Sequence, residues 1–256
     1  MTESPVQERM ADHWRSQVYV NDQSYFHIPV PLWLQVRVEP LWRESVVARL
    51  GRVLADRVPF ERVVDLGCAN GSWTLAYLKV AKTALGVDVN ESFIERAKEL
   101  QRAHTEGSRV EFRVSGMETF DDFAGADLVG IGGCAQYLTD ETLESLFERI
   151  ANAQRPGNIV YIRTNVTTRG QQRYWTEHGV YRHGDEYERV FERVGYKTLE
   201  TYRTIEYAPA VVMQRLLPSR SLLPVRALAW PVTAPLRLYR DYTEHADHRN
   251  WVLERR

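Results

Sequence analysis

The segment at residues 63–71, with the sequence VVDLGCANG, constrains the fold of this chain more than any other. An apolar run ends there in an acid, a glycine-containing turn follows, and a helix-like stretch begins at Ser72. A second apolar run at residues 84–90 carries another acid, Asp88, about one βαβ unit later. This spacing predicts two parallel strands whose carboxyl ends meet at one edge of a sheet, where α/β folds bind nucleotide-type ligands.

Short apolar runs alternate with helix-like runs along most of the chain. We predict strands at residues 62–66, 83–89, 110–114, 126–131, 158–164, 196–207 and 248–254. We predict helices at residues 72–82, 91–105, 140–154 and 185–194. This alternation indicates an α/β fold with a doubly wound, mostly parallel seven-stranded sheet.

The regions on either side of this alternating pattern differ from it in amino-acid composition. Residues 1–57 are helix-like and rich in aromatic side chains, so we expect an N-terminal helical cap, with Pro40 kinking its second helix. Residues 58–256 then form the ligand-binding domain, with a helical or irregular insertion at 208–247 before the last strand. Residues 208–240 are rich in Leu, Pro and Arg and contain no Asp or Glu. We favour a lid or dimer contact there over weak peripheral contact with an anionic membrane.

Composition excludes several classes of protein. A net charge of −1 argues against a nucleic-acid partner. No apolar run approaches the roughly 20 residues of a membrane span, and the first residues do not resemble a secretory signal. The two cysteines, Cys68 and Cys134, form no CxxC motif or Cys/His cluster, which predicts a reducing compartment and no structural zinc. We expect a cytoplasmic monomer or homodimer.

The turn at residues 67–71 does not match a pyrophosphate site. The pattern G-x-G-x-x-G would need glycine where the chain has Ala69 and Ser72. Asp65, at the end of the first strand, would repel phosphates but suits a ligand that carries a positive charge. No Gly-Lys-Ser/Thr follows, which excludes a P-loop.

The segment resembles motif I, (D/E)-x-G-x-G-x-G, of the class I S-adenosylmethionine-dependent methyltransferases. It matches at Asp65, Gly67 and Gly71 and differs at Ala69. The resemblance implies a Rossmann-like methyltransferase fold, S-adenosyl-L-methionine as cofactor with S-adenosyl-L-homocysteine as its product, and no metal.

The resemblance also assigns roles around the turn. The implied cofactor-binding residues are Asp65, Gly67, Cys68, Ala69, Asn70, Gly71, Asp88, Val89, Gly116, Met117 and Gly132. Asp65 would act on the cofactor's ammonium group directly or through water, and Asp88 would accept hydrogen bonds from both ribose hydroxyls. Met117 stands where the family usually has Asp, so Glu118 or a backbone carbonyl would accept the proton of adenine N6.

The sequence around the predicted fourth strand bears on the methyl acceptor. It lacks the Asp/Asn-Pro-Pro-Tyr/Phe stretch of DNA and RNA amino-methyltransferases, a cysteine after a proline for C5 methylation, and a carboxylate cluster for magnesium. We therefore expect methyl transfer to oxygen or nitrogen of a small molecule, such as a natural-product intermediate or a sugar. The alternatives are a lipid-linked glycan terminus or peptide amine, and a non-catalytic cofactor-binding scaffold. A dehydrogenase is disfavoured by Asp65 and the missing glycines.

Aromatic residues of the cap and of the loop after the fifth strand are candidates for the acceptor pocket. These candidates are Tyr19, Tyr25, Phe26, His27, Trp33, Tyr137, Tyr174 and Tyr181. His183 and His178 are candidate general bases, because neutral imidazole titrates near physiological pH. The alternative interpretation of each histidine is a surface residue or helix cap, and an amine acceptor needs no base beyond water.

Overall fold

The computed structural model describes residues 5–17, 32–167, 173–175, 179–203 and 247–256. The helices are α1 (Pro5–Arg15), α2 (Leu32–Val53), α3 (Ser72–Tyr77), α4 (Glu91–Ala103), α5 (Asp140–Ala153) and α6 (Gly184–Arg193). The strands are β1 (Phe60–Leu66), β2 (Ala81–Asp88), β3 (Val110–Val114), β4 (Leu128–Gly132), β5 (Ile159–Val166), β6 (Tyr174–Trp175), β7 (Val180–Tyr181), β8 (Tyr196–Arg203) and β9 (Asp247–Arg255). Two short 3₁₀ turns lie at Gly107–Arg109 and Ala135–Tyr137.

Seven strands form one sheet in the order β3-β2-β1-β4-β5-β9-β8. Strands β1 to β5 are parallel, and β9 runs antiparallel to both β5 and β8. This confirms the predicted doubly wound, mostly parallel seven-stranded sheet of Rossmann-like methyltransferase type. The strand order reverses between β1 and β4, and ligands of open α/β sheets bind at the carboxyl ends of strands at such a point.

The core lies on both faces of this sheet because successive strand residues point to opposite sides. On one face, Val64 and Val129 pack in a cluster with Phe147 of α5 and Phe191 of α6. On the other face, Val63 belongs to a cluster that includes residues of α2, α3 and α4. The carboxyl edge of the sheet is therefore held rigidly from both sides.

The predicted helix at residues 72–82 is wrong at its carboxyl end. Helix α3 ends at Tyr77 and β2 begins at Ala81. The Phe60 N–H donates to the carbonyl of Val80 at 2.8 Å, and Phe60 pairs with Ala81 across the sheet. Strand pairing thus overrides a local preference for helix. The other predicted boundaries agree within two residues, except the end of the strand predicted at 196–207, whose residues 204–207 lie outside the described ranges. The β6–β7 hairpin was not predicted.

Both flanking regions are described in part. Helices α1 and α2 lie in the predicted N-terminal cap, and α2 continues through Pro40. The predicted final strand is confirmed as β9, whereas most of the predicted insertion at 208–247 lies outside the described residues. Arg203 pairs with Arg249, so the segment at 204–246 leaves and rejoins the sheet at the carboxyl edge. Within the described ranges, no helix is both long and apolar enough to cross a bilayer.

Candidate ligand site at the carboxyl edge of the sheet

The turn between β1 and α3 contains three residues in the left-handed region. Gly67 has φ 68°, Ala69 has φ 47° and Gly71 has φ 75°. Glycine adopts this conformation without steric cost, whereas a left-handed alanine costs about 1–2 kcal/mol. Within the described part of the chain, Ala69 is the one residue other than glycine with positive φ.

The two glycines of this turn also allow close packing. A Cβ on Gly67 would lie 2.6 Å from Sγ of Cys134, and a Cβ on Gly71 would lie 2.5 Å from the Phe112 ring. The N–H groups of Gly67 and Cys68 both donate to the carbonyl of Val87, at 2.8 and 3.0 Å. The turn is therefore packed closely against β2, β3 and the segment that follows β4.

Asp88 ends β2, and its carboxylate organises the neighbouring backbone. One oxygen accepts the N–H of Ala69 at 2.9 Å, and the other accepts the N–H of Asn90 at 2.9 Å. Burial raises the pKa of Asp88, while these backbone hydrogen bonds act in the opposite direction. Each oxygen still has a lone pair for a further donor. The strained conformation of Ala69 thus aims its N–H at this acid.

Asp65, near the end of β1, is 2% exposed. Its carboxylate accepts the Thr74 hydroxyl of α3 at 2.6 Å. Burial raises the pKa of Asp65 to about 7, and the Thr74 hydrogen bond and the positive charge of Arg163 oppose that shift. A ligand with a positive charge would stabilise the ionised carboxylate here.

Arg163 of β5 is a site residue that the sequence analysis missed. Its guanidinium stacks on the ring of Trp73 at 4.5 Å, and the residue is 9% exposed. A Cβ on Gly132, its neighbour on β4, would lie 3.2 Å from Nη2. The available signal was an arginine within an otherwise uncharged strand, IVYIRTNV, since charged residues are seldom buried without a partner or a function.

The segment after β3 supplies a third side of the site. The Met117 side chain packs against the core, and its carbonyl accepts from Nη2 of Arg149 at 2.9 Å. The Glu118 carboxylate lies against Gly116, where an added Cβ would collide with it. Arg15 of α1 pairs with Glu118 at 3.3 Å. A buried acid and a flexible apolar side chain therefore occupy the position expected to face adenine.

Helix α1 crosses this edge of the sheet and is held there by hydrogen bonds at both of its ends. Nδ2 of Asn90 donates to the carbonyls of Trp14 and Gln17, at 2.6 and 2.7 Å. Oε1 of Gln7 accepts the N–H of Thr139 at 2.9 Å, next to α5. The helix therefore joins the end of β2 to the segment that follows β4.

Trp14 of α1 and Tyr137 form an aromatic contact at this edge. Their ring centroids are 4.7 Å apart. The indole Nε1 of Trp14 is buried and has no hydrogen-bond partner among the described residues. Of the predicted acceptor residues, Tyr137 thus lies against α1, next to an indole donor that sequence reasoning did not single out.

His183 lies at the amino end of α6. Its Nδ1 is 2.8 Å from the Thr167 hydroxyl, and its backbone N–H donates to the Glu186 carboxylate at 2.8 Å. The second contact is typical of a capped helix. Tyr181 of β7 is half-buried, and burial raises its pKa.

The remaining acceptor and base candidates are less fully described. Trp33 lies in α2 and Tyr174 in β6. The candidates outside the described residues are Tyr19, Tyr25, Phe26, His27 and His178.

The cysteines and possible metal ligands complete the site. Cys68 and Cys134 are buried, and burial raises the pKa of both thiols. Neither thiol therefore resembles an activated nucleophile. The described residues contain no group of three or more His, Cys, Asp or Glu side chains arranged to hold a metal ion.

Comparison with known proteins matches residues 63–157 to the family described as "Methyltransferase domain". A 23S rRNA (uracil(1939)-C(5))-methyltransferase RlmD from Azoarcus sp. (strain BH72) is 29% identical over 126 residues, covering 48% of this chain and 28% of that protein. A carboxy-S-adenosyl-L-methionine synthase from Actinobacillus succinogenes is 27% identical over 124 residues, covering 46% and 51%. The chain thus spans about a quarter to a half of the length of these relatives.

The solved structure of geranyl diphosphate C-methyltransferase from Streptomyces coelicolor A3(2) shares the fold. That protein was solved with Mg²⁺, geranyl diphosphate and S-adenosyl-L-homocysteine. It superposes with a TM-score of 0.66 at 17% identity, covering 100% of both chains.

The sheet order and the acid-glycine turn together define a Rossmann-like methyltransferase domain. The match of residues 63–157 to a methyltransferase-domain family agrees with the resemblance of the acid-glycine turn to motif I of the class I S-adenosylmethionine-dependent methyltransferases.

Proposed function

We propose that this protein binds S-adenosylmethionine and transfers its methyl group to an oxygen or nitrogen of a small-molecule acceptor. The observation that carries the proposal is the pairing of a bare glycine turn with two acids, Asp65 and Asp88, at adjacent strand ends. The family match over residues 63–157 supports the activity.

The residues of the turn fit this cofactor. A side chain at Gly67 or Gly71 would collide with Cys134 or Phe112, so the two glycines fix the path of the turn beside the two acids. Asp88 retains acceptor capacity for two ribose hydroxyls, and Asp65 is poised to ionise beside an ammonium group. When bound, the cofactor supplies an electrophilic methyl group on its sulfonium. The protein's task is then to align the acceptor and exclude water.

The adenine would lie between the ends of β2 and β3. Val89 and Met117 supply apolar contact, while the Glu118 carboxylate, held by Arg15, would accept from N6. This arrangement would replace the Asp that the family usually places at position 117.

The proposal of a small-molecule acceptor rests on what covers the site. Helix α1 crosses the carboxyl edge and brings Trp14 against Tyr137. An edge crossed by a helix that brings two aromatic side chains together suits a small ligand better than a nucleic-acid strand. The geranyl diphosphate ligand of the structural neighbour supports the same class.

RNA is a second candidate acceptor, because RlmD relatives act on 23S rRNA. Their C5 chemistry requires a cysteine nucleophile, and both cysteines of this chain are buried with raised pKa values. We therefore rank RNA below a small molecule. A non-catalytic scaffold remains the alternative if the protein binds cofactor without turnover.

We retain His183 as the proposed general base for acceptors that must lose a proton. Its Nδ1 contact with Thr167 would orient the ring, as a hydrogen bond at one nitrogen fixes the role of the other. His178 is proposed as the alternative base. Amine acceptors would need neither.

Calorimetry with S-adenosylhomocysteine, S-adenosylmethionine and NAD tests cofactor identity. We expect the first two to bind and NAD not to. Asp88→Ala should weaken S-adenosylhomocysteine binding by about 1.5–3 kcal/mol, the scale of hydrogen bonds to a charged group. Asp56→Ala, an exposed acid beyond α2, is the matched control and should bind as the wild type does. Equal affinity in both variants would show that Asp88 does not contact the ribose.

Labelled S-adenosylmethionine with small-molecule, glycan, peptide and RNA pools then tests the acceptor. We expect label to transfer to a small molecule. Transfer to RNA alone would replace that proposal, and cofactor binding without transfer to any pool would favour the scaffold.

A further inference from the structure

The carboxyl ends of β1 and β5 place an acid and a cation on one face of the sheet. Asp65 accepts a hydrogen bond from Thr74 of α3, and the guanidinium of Arg163 stacks on Trp73 of the same helix. Both charged residues are almost fully buried, at 2% and 9% exposure. Two buried opposite charges thus face one short helix.

Strand β4 lies between them, and on that face the two positions nearest its carboxyl end are glycines. Gly130 pairs with Asp65, and Gly132 pairs with Arg163. A Cβ on Gly132 would lie 3.2 Å from Nη2 of Arg163, and a Cβ on Gly130 would lie 2.9 Å from the Tyr77 hydroxyl. The arginine therefore reaches over β4, and its positive charge acts on Asp65.

We infer that Arg163 binds the carboxylate of the α-amino acid whose ammonium group is proposed to lie at Asp65. This inference rests on the proposed function, because the α-amino acid is the methionine part of the cofactor. Such a group carries opposite charges on a single carbon, so it needs an acid and a cation side by side.

The chemistry of arginine suits the carboxylate. A guanidinium binds a carboxylate through two parallel N–H bonds, and it can do so at its edge while its face stacks on an aromatic ring. The contact with Trp73 would hold the guanidinium plane in place. If Arg163 were purely structural, it would only offset the charge of Asp65. A ligand without the carboxylate would then bind as tightly as the intact ligand, which separates the two roles.

The test compares ligands that differ in one group. Calorimetry on the wild-type protein would use S-adenosylhomocysteine, its analogue without the α-carboxylate, and 5′-methylthioadenosine, which lacks the whole amino-acid part. We expect removal of the carboxylate to weaken binding about 10- to 100-fold, the value of a charge-assisted hydrogen bond. Removal of the amino-acid part should weaken it further.

Variants of Arg163 should remove this discrimination. Arg163→Gln should bind S-adenosylhomocysteine and the carboxylate-free analogue equally, and Arg163→Lys should restore part of the difference because it keeps the charge. Arg113→Gln, a half-exposed arginine of β3, is the control and should discriminate as the wild type does. Melting curves would verify that each variant is folded.

The outcomes separate the inference from the proposed function. Equal wild-type affinity for the two ligands, or undiminished discrimination in folded Arg163→Gln, would overturn the role of Arg163 while leaving cofactor binding intact. If Arg163→Gln does not fold, the affinities of the wild type and of Arg163→Lys for S-adenosylhomocysteine and its carboxylate-free analogue test the role of Arg163. No binding of S-adenosylhomocysteine or S-adenosylmethionine to the wild type would overturn the proposed function itself.

Discussion

Ala69 combines backbone strain with a useful hydrogen bond. Its left-handed conformation directs its N–H to Asp88, where the family motif has glycine. We predict that Ala69→Gly raises the free energy of unfolding by up to about 1 kcal/mol, because relief of strain exceeds the added entropy of the unfolded chain. Urea denaturation measures this. Ala76→Gly, within α3, is the control and should lower stability by about 1 kcal/mol.

If Ala69→Gly instead destabilises the protein as much as Ala76→Gly does, the turn is not strained. An additional Ala69→Val variant should be markedly less stable, since a β-branched residue tolerates positive φ poorly.

Asp65 makes stability depend on pH. Its folded pKa of about 7 lies above the unfolded value of about 3.9, so between these values the folded state holds a proton that the unfolded state lacks. We predict that stability from this group is full below pH 4 and falls as pH rises to 7, by at most about 1.4 kcal/mol per unit. Denaturation of wild type and Asp65→Asn across this range measures it.

The Asn variant should lose this slope, whereas Asp56→Asn should keep it. Binding of a ligand ammonium group should also release a proton from Asp65 below pH 7, which calorimetry in buffers of different ionisation enthalpy detects. A slope that is the same in wild type and Asp65→Asn would contradict the assignment.

At the scale of elements, one residue, His183, has two proposed roles. It caps α6 and is our candidate base. We predict that His183→Ala lowers stability by about 1 kcal/mol, because the ring contact with Thr167 is lost, and that His183→Asn, a good N-cap, restores it. Both variants should slow methyl transfer to a hydroxyl acceptor at least 100-fold, the low end for general-base catalysis.

Rates on an acceptor found by the labelling screen check this prediction. If the Asn variant is stable and fully active, His183 is not the general base and acts only at the start of α6.

Elements differed in how far the sequence could predict them. Strands β1 to β5 were predictable because their apolar runs end in acids, glycines or turns. The proposed role of the turn came from the charge of Asp65 and the resemblance to motif I. The end of α3 could not be predicted from the sequence, because it depends on the long-range pairing of Phe60 with Ala81. Arg163 was missed for a similar reason: its meaning depends on Trp73 and Gly132, which only the folded sheet brings next to it.

At the scale of the whole molecule, the segment at 204–246 joins two adjacent strands at the edge that carries the site. Arg203 and Arg249 are paired, so a short loop can connect β8 to β9. We predict that replacing 204–246 by a short Gly/Ser loop leaves the fold and S-adenosylhomocysteine affinity unchanged but abolishes acceptor methylation, if residues 208–240 within it form a lid rather than a dimer contact.

Calorimetry and the labelling assay on this variant make the comparison. Full methylation activity would show that the segment is not needed at the site. Retained activity in solution with lost vesicle binding would favour the membrane interpretation.

The position of β9 has a consequence for how the protein is made. This strand separates β5 from β8, yet its residues follow those of every other strand in the chain. During synthesis, β5 and β8 therefore emerge with open edges that can pair with other chains. The seven-stranded sheet is complete only after residue 255 has left the ribosome, so both edges stay open to pairing until then.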